Sequence, residues 1–386
     1  MSNNVYLMSA ARTPVGSFQG ALSTLSAPEL GAHAVQAALA QSDISADQIG
    51  EVILGNVVSA GLKQAPARQA MRLAGLPDGV GATTINKVCG SGMKAAMLAS
   101  DLIRAGSAQC IVAGGMESMS NAPYVLQKAR AGLRMGHADM KDTLFLDGLE
   151  DAETGNSMGS FAQQTADEYQ LSREAMDAYA TESVIRARKA IENQSLSSEI
   201  APIKINDVVV SDDEQPGRAK LDKIPSLRPA FKADGTITAA NSSSISDGGS
   251  ALVLASETLL DGRTPLAQIV GHATHSIHPS EFTIAPVGAI QTLADNIGWD
   301  LNDVDLFEIN EAFAMVTMLA IQELGLDHAR VNIHGGACAQ GHPIGSTGSR
   351  LIATLAHALK ATGGRKGIAA LCIGGGEATA IALERS

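Results

Sequence analysis

The chain has 386 residues and a formal net charge of −12, from 40 acidic against 28 basic side chains, with 18% charged residues, 3% aromatic residues and four cysteines. A net-acidic sequence without a Lys/Arg run lacks the electrostatic footprint of a general nucleic-acid or anionic-membrane binder, so a polyanionic ligand has to meet a local basic pocket. Apolar stretches stay under about ten residues, short of the roughly twenty that span a bilayer, which argues against a membrane-spanning helix. The 45% hydrophobic content suits a globular chain of two or three domains, or one large duplicated one.

In chain order, residues 5–8 read as a strand, so the acid-poor opening with Arg12 is taken as folded chain rather than a leader, and a cytoplasmic location is expected. Helical patterns follow at 29–41, 93–104 and 172–193, and apolar strand patterns at 51–54, 111–113, 251–255, 268–270 and 368–373. Glycine clusters at 90 and 92, 114–115, 248–249, 335–336, 363–364 and 374–376 are read as strand-to-helix turns, which makes the rhythm α/β. The four cysteines form no CxxC and no tight spacing, so neither a disulfide framework nor a structural zinc site is expected.

The chain also repeats itself. DQIGEVILGNV at 47–57 resembles NDVDLFEINEA at 302–312, pairing Asn56 with Asn310. Cys89 lies 33 residues beyond Asn56 and His342 lies 32 beyond Asn310, each in a Gly-rich turn before a helix. Residues 111–115 lie opposite 371–375, and 5–13 opposite 268–274, which implies an ancestral duplication. Between the copies, residues from about 119 to 247 carry more charge, with an acidic turn at 212–214 and basic residues from 218 to 228, and read as an insertion. Two duplicated α/β sheets can bring their carboxyl-edge turns to one site.

Cys89 ends an apolar segment, is followed by Gly90 and Gly92, and opens a helix, where the dipole can depress a thiol and favour the nucleophilic thiolate. His342 is fixed by Pro343 among glycines and is the repeat partner of Cys89, so the facing halves would supply a nucleophile and its base. Cys372 sits beside Gly374, where exposed N–H groups can stabilise an oxyanion, and Asn310 offers an uncharged amide for a water or substrate oxygen.

Two other readings compete. Gly90-Ser-Gly92-Met-Lys-Ala95 fits the loose G-x-G-x-x-A turn of a dinucleotide-binding oxidoreductase, but Asp101 comes too early and Glu117 too late for the ribose acid. His272, His275, His278 and Glu281 would cluster on a helix as metal ligands, but Pro279 and the strand-like 268–270 argue for a loop, and no metal is expected. Neither a P-loop nor a G-x-S-x-G elbow is present.

The segments NKVCGSGMKA, GGMESMSNAPY, NEAFA, GHPIG and CIGGG, in this order and spread across nearly the whole chain, resemble the thiolases. The resemblance implies a thiolase fold of two α/β halves stacked as five αβαβα layers. Residues 1–118 completed by 247–266 would form the first half, 119–246 an inserted loop domain that binds coenzyme A, and 267–386 the second half. It further implies that Cys89 is the acylated nucleophile, His342 its base and Cys372 the acid/base that moves the α-proton of acetyl-CoA. Asn310 would hold an oxyanion-hole water, and the N–H groups of Cys89 and Gly374 a second oxyanion hole.

Coenzyme A and acyl-CoA would be substrates, with no permanent cofactor, no nucleic acid and no membrane partner, in a homotetramer or homodimer. Ser243 matches a pantetheine-contacting serine, Met158 and Phe313 stand in matching site segments, and Arg218, Lys220 and Lys223 are candidates for the nucleotide phosphates, with binding that weakens in salt. A non-catalytic acyl-CoA-binding member of the fold is the remaining alternative, against which Cys89, His342 and Cys372 count. The sequence departs from the family pattern at Ser157 and Phe282, which leaves acyl-chain length open, and at Gln340 and Glu377, which implies a different polarity near the site.

Overall fold

A computed structural model describes residues 4–385. The first copy runs β1 (Val5–Arg12), α1 (Ala27–Ser42), β2 (Glu51–Gly55), α2 (Pro66–Leu73), β3 (Gly81–Ile85), α3 (Ser91–Arg104) and β4 (Cys110–Ser118). The intervening segment carries α4 (Met158–Glu168) and α5 (Arg173–Glu192), and β5 (Ser246–Ser256) returns to the sheet. The second copy runs β6 (Ala267–Ser276), α6 (Ala285–Ile297), β7 (Leu306–Ile309), α7 (Ala314–Leu324), α8 (Ala337–Gln340), α9 (Ile344–Thr362), β8 (Lys366–Ile373) and β9 (Glu377–Glu384).

Strands follow the order β7-β8-β9-β6-β1-β5-β4-β2-β3. The two copies meet at a short antiparallel seam, Val5 to Ile269, Tyr6 to Gln268 and Leu7 to Ala267, and are laid out in mirrored order on either side of it. Within each, β2 runs parallel to β4 and β7 parallel to β8. The bridge of Phe307 to Val331 stands where β3 stands in the first copy.

Strand faces that are apolar on both sides need helices on both sides. One core cluster unites Met93, Met97, Leu351 and Leu355 of α3 and α9 with Ile53, Ile111, Leu371 and Ile381 of both halves of the sheet. A second joins Val35 and Met71 of α1 and α2 to Val112 and Val253, and a third joins Ile290 and Leu293 of α6 to Ile309 and Ile368. The result is five layers, α-β-α-β-α, with α3 and α9 in the middle one.

Residues between β4 and β5 add no strand to this sheet among the described residues, forming two small hairpins, α4 and α5 instead. Arg12 anchors this segment. Its buried guanidinium donates to both oxygens of Asp213 at 2.7 and 3.0 Å and to Glu199 at 2.6 Å, so the basic side chain of the acid-poor opening is structural.

Two expectations need correction. Gly114-Gly115 and Gly248-Gly249 lie inside β4 and β5 rather than in turns, and the turns at 363–364 and 374–376 lead from α9 into β8 and from β8 into β9 rather than from a strand into a helix. Their glycine character serves close layer packing, since a Cβ on Gly115 would fall 1.9 Å from the Gly345 carbonyl oxygen and one on Gly249 2.5 Å from that of Leu30. His272 and His275 belong to β6 rather than a loop, and His272 pairs with Asp101 at 2.9 Å. No group of three or more His, Cys, Asp or Glu is arranged to hold a metal ion among the described residues, and no described helix is long and apolar enough to cross a membrane.

Candidate active site

The N-termini of α3 and α9 cross at near-contact distance because small residues permit it. A Cβ on Gly92 would lie 2.6 Å from Ser349 Oγ, and one on Gly348 2.3 Å from the Met93 nitrogen. This crossing brings together the turn before α3, which carries Cys89, and the turn before α9, which carries His342. It also counts against the dinucleotide reading, since the close approach that Gly90 and Gly92 allow is taken up by Ile373 and Ser349.

The Cys89 turn is strained. Val88 adopts φ +46°, a left-handed conformation that a β-branched residue avoids and that persists only when its surroundings over-determine it. Asn86 Oδ1 accepts from the Val88 N–H at 2.9 Å, Ser91 Oγ donates to the Val88 carbonyl at 2.6 Å, and the Lys87 N–H donates to Ser91 Oγ at 2.8 Å.

Burial pushes the Cys89 thiol up to about 11, opposed by the N–H groups of Gly374 and Cys89 itself, which point at the sulfur. The expected depression at a helix N-terminus is therefore overturned, because desolvation outweighs the dipole. Cys372, fully buried at the end of β8, is pushed well above the ordinary thiol range by burial and then by the Cys89 charge, which locates the two sulfurs as neighbours.

His342 is buried, and burial followed by the charge of Arg350 depresses its imidazole to about 3. Its Nδ1 lies 2.6 Å from Thr347 Oγ1, its Nε2 lies 3.5 Å from Asn310 Nδ2, and its backbone N–H donates to the Ser244 carbonyl at 3.0 Å. The Asn310 side chain is fully buried, and its Oδ1 has no hydrogen-bond partner among the described residues.

A cavity of about 360 Å³ opens onto Cys89, His342 and Gly374, and its walls include Ser243, Met158, Phe231, Phe282 and Phe313. Phe313 meets Phe231 and Phe282 edge-on at 6.2 and 6.5 Å, and the Ser243 N–H donates to the Ala312 carbonyl at 2.9 Å, so the Asn241 to Ser244 stretch runs beside the NEAFA segment. Cys372 and Asn310 stand behind this wall. Arg218, Lys220 and Lys223 do not line the cavity, and two of them face acids, Arg218 on Glu214 and Lys223 on Asp222 at 3.4 Å.

Cys110 lies in the outer core beside α1, and Cys338 donates its N–H to Glu311 at 3.1 Å. Gln340 is buried and donates to the His334 carbonyl at 3.2 Å. Sequence reasoning missed Thr347, whose only signal is its place one turn into α9. It also missed Glu117, a buried acid pushed up to about 7 by desolvation, which accepts the N–H groups of Val57, Val58 and Gly345 at 3.0, 3.2 and 2.9 Å.

The chain matches the family models of the thiolase N-terminal domain over residues 5–258 and the thiolase C-terminal domain over 263–385. An acetyl-CoA acetyltransferase of Pseudomonas aeruginosa is 46% identical over 390 residues, covering 99% of each chain. The crystal structure of a thiolase from Ascaris suum in complex with coenzyme A is 42% identical, with a TM-score of 0.95 over 99% of this chain and 100% of that one. That of human mitochondrial 3-ketoacyl-CoA thiolase in complex with CoA is 36% identical, with a TM-score of 0.96 over 100% of this chain and 98% of that one. The oxidoreductase alternative finds no support in these relationships. With a duplicated five-layer fold, a cysteine and a histidine meeting at the crossing of its two central helices, and family matches through both halves, the chain belongs to the thiolase family.

Proposed function

We propose that the chain is an acetyl-CoA C-acyltransferase that works by a ping-pong route through acyl-Cys89. His342 takes the Cys89 proton as the sulfur attacks a thioester carbonyl, the N–H groups of Cys89 and Gly374 receive the developing oxyanion, and coenzyme A leaves with the proton from His342. In the second half-reaction either coenzyme A gives its thiol proton to His342 and attacks the acyl-enzyme, or Cys372 passes its proton to His342 and, as the thiolate, removes the α-proton of acetyl-CoA so that the resulting enolate attacks. The Cys89 thiolate is then released and regains its proton from His342.

The observation that carries this reading is the convergence of a desolvated thiol, a neutral imidazole and two backbone N–H donors on one apolar cavity. A thiol near 11 beside an imidazole near 3 rests as a neutral pair, so transfer to His342 is coupled to attack rather than completed beforehand. Two preorganised donors at the place where charge develops are worth about 3 to 4 kcal/mol each. The orphaned Oδ1 of Asn310 suits a bound water that would share the enolate oxygen with His342, since an unpaired buried acceptor costs about 1 to 3 kcal/mol.

Coenzyme A would reach this centre along residues 119–246, past Ser243 and Met158, with Arg218, Lys220 and Lys223 as outlying candidates for its phosphates. The two relatives solved as CoA complexes and the many relatives called acetyl-CoA acetyltransferase support that assignment. A cytoplasmic homotetramer or homodimer completes the reading, to be checked by fractionation and sedimentation. Intact-mass measurement after mixing with acetyl-CoA tests the core of it: a gain of about 42 Da, an acetyl group in place of the thiol hydrogen, is expected on Cys89, and an unmodified Cys89 would overturn the mechanism.

A further inference from the structure

Glu377 begins β9 immediately after the Gly374 to Gly376 turn, and its Oε2 lies 2.5 Å from Lys87 Nζ, two residues before Cys89. The pair is partly buried, at 20% and 32% side-chain exposure, and Ser276 Oγ donates to the other carboxylate oxygen at 3.3 Å, so the acid is oriented from its own half. Beside it, Gly90 sits flat against Ile373, where a Cβ would lie 2.3 Å from Ile373 Cδ1. The strained Val88 turn is thus braced internally by Asn86 and Ser91 and externally by the end of β8.

The repeat gives this pair a counterpart. Positions 117 and 377 correspond in the two copies, and both acids cross to the other half's catalytic turn: Glu117 accepts the Gly345 N–H three residues past His342, and Glu377 holds Lys87 two residues before Cys89. A site assembled from two halves needs its turns held in mutual register, because displacement by about 1 Å can cost a hundredfold in rate.

We propose that Lys87 and Glu377 form a positioning clamp for acyl transfer: their ion pair ties the Cys89 turn of one half to the Gly374 turn of the other. It thereby sets the spacing of the two N–H donors that receive the thioester oxygen. The clamp rests on the acyl-Cys89 reading above and adds two residues that touch neither substrate nor sulfur. A partly exposed ion pair contributes little to stability, so its signature is kinetic.

The test compares Lys87→Met, Glu377→Gln, Lys87→Arg and the reversed pair Lys87→Glu with Glu377→Lys, all in the full-length enzyme. Single-turnover acetylation of Cys89 by acetyl-CoA, steady-state thiolysis of acetoacetyl-CoA and melting temperature are the readouts. The neutral variants should lose roughly tenfold in acetylation rate and kcat with KM within about twofold. Melting should move by less than about 3 °C. Lys87→Arg should stay within about threefold of the parent, and the reversed pair should recover most of what either single reversal loses.

Parent-like acetylation rates in both neutral variants would overturn the clamp, as would a reversed pair no better than its single reversals or a rise in KM at constant kcat. Lys87→Arg decides the matter if a neutral variant does not fold, since an Arg variant tenfold slower than the parent at an unchanged melting temperature refutes a role set by charge. Failure of the parent enzyme itself to acetylate Cys89 is a separate result, which removes the acyl-enzyme reading and the clamp with it.

Discussion

His342 Nδ1 and Thr347 Oγ1 lie 2.6 Å apart, and the same hydroxyl donates to the Pro343 carbonyl at 3.0 Å. Assigning the hydroxyl's one proton to the Pro343 carbonyl, the i−4 bond usual for a threonine in a helix, makes Oγ1 the acceptor of Nδ1–H and leaves the imidazole lone pair on Nε2, the nitrogen that faces Asn310. Thr347 thereby sets the tautomer that a general base requires.

Thr347→Val keeps the shape of the side chain and removes the acceptor. Losing the orienting partner of a catalytic histidine costs up to about 10⁴ in rate where that partner is a buried carboxylate, so a neutral hydroxyl should account for roughly a hundredfold in kcat, with KM little changed. Thr347→Ser should retain most activity. Equal kcat in the valine variant and the parent would refute the tautomer argument.

The resting protonation states make a second claim testable by pH. Only the thiolate reacts with iodoacetamide, and with Cys89 pushed up to about 11 its fraction grows about tenfold per pH unit from 7 to 10. Alkylation should climb through that whole range without the plateau near 9 of an ordinary thiol. Acetylation by acetyl-CoA should stay nearly flat from about pH 6 to 9, because His342, depressed to about 3, is already an available base throughout. An alkylation midpoint near 7 would mean a preformed thiolate and would sink the coupled transfer.

Cys372→Ala separates the two half-reactions. The side chain is fully buried beside Cys89 yet outside the cavity wall, which suits moving a proton on a second substrate rather than attacking the first. Burst acetylation of Cys89 should persist within about threefold while condensation falls by 10² to 10⁴, roughly the range of general acid–base contributions. Full turnover in the variant would remove Cys372 from the chemistry.

Much of this site was readable from the chain because its residues announce themselves locally. Cys89 ends an apolar segment and His342 is fixed by Pro343, both sit in Gly-rich turns that open helices, and the internal repeat pairs them in the sequence alone. What stayed hidden depends on contacts between distant parts of the sequence. Glu117 reaches Gly345 across 228 positions and Lys87 reaches Glu377 across 290, and no periodicity encodes either. The glycines of β4 and β5 misled for the same reason, since a residue that must be small because another layer lies against it looks identical to one that must turn. The helix dipole at Cys89 was visible in the sequence, while the desolvation that outweighs it was not.

Arg12 bears on stability rather than chemistry. Its guanidinium is fully buried between Glu199 and Asp213, while Asp213 also accepts the Val15 N–H at 2.8 Å and Glu199 the Thr354 hydroxyl at 3.0 Å. Arg12→Met would leave two buried carboxylates without their counter-charge, a change that costs about 3 to 5 kcal/mol. Urea unfolding should show that loss, and replacing Arg12, Glu199 and Asp213 together by Met, Gln and Asn should lose less than Arg12→Met alone. A single variant as stable as the parent would show that the triad is not the tether between β1 and the inserted segment.

The acyl end of the cavity sets the last expectation. Phe282 is 3% exposed, lines the same cavity as Cys89 and is held edge-on to Phe313 at 6.5 Å, so its ring occupies volume that a longer acyl chain could use. Each methylene placed there gains about 0.8 kcal/mol, and Phe282→Leu frees room for about one of them. Thiolysis of a six-carbon 3-ketoacyl-CoA should therefore rise in kcat/KM by roughly fourfold relative to acetoacetyl-CoA. Leucine is preferred to alanine because Phe→Ala at a buried site costs about 3 to 5 kcal/mol and would confound rate with folding. If the ratio of long- to short-chain kcat/KM is unchanged in Phe282→Leu, the acyl chain does not lie against Phe282, and chain length is set instead by other lining residues such as Met158 and Phe231.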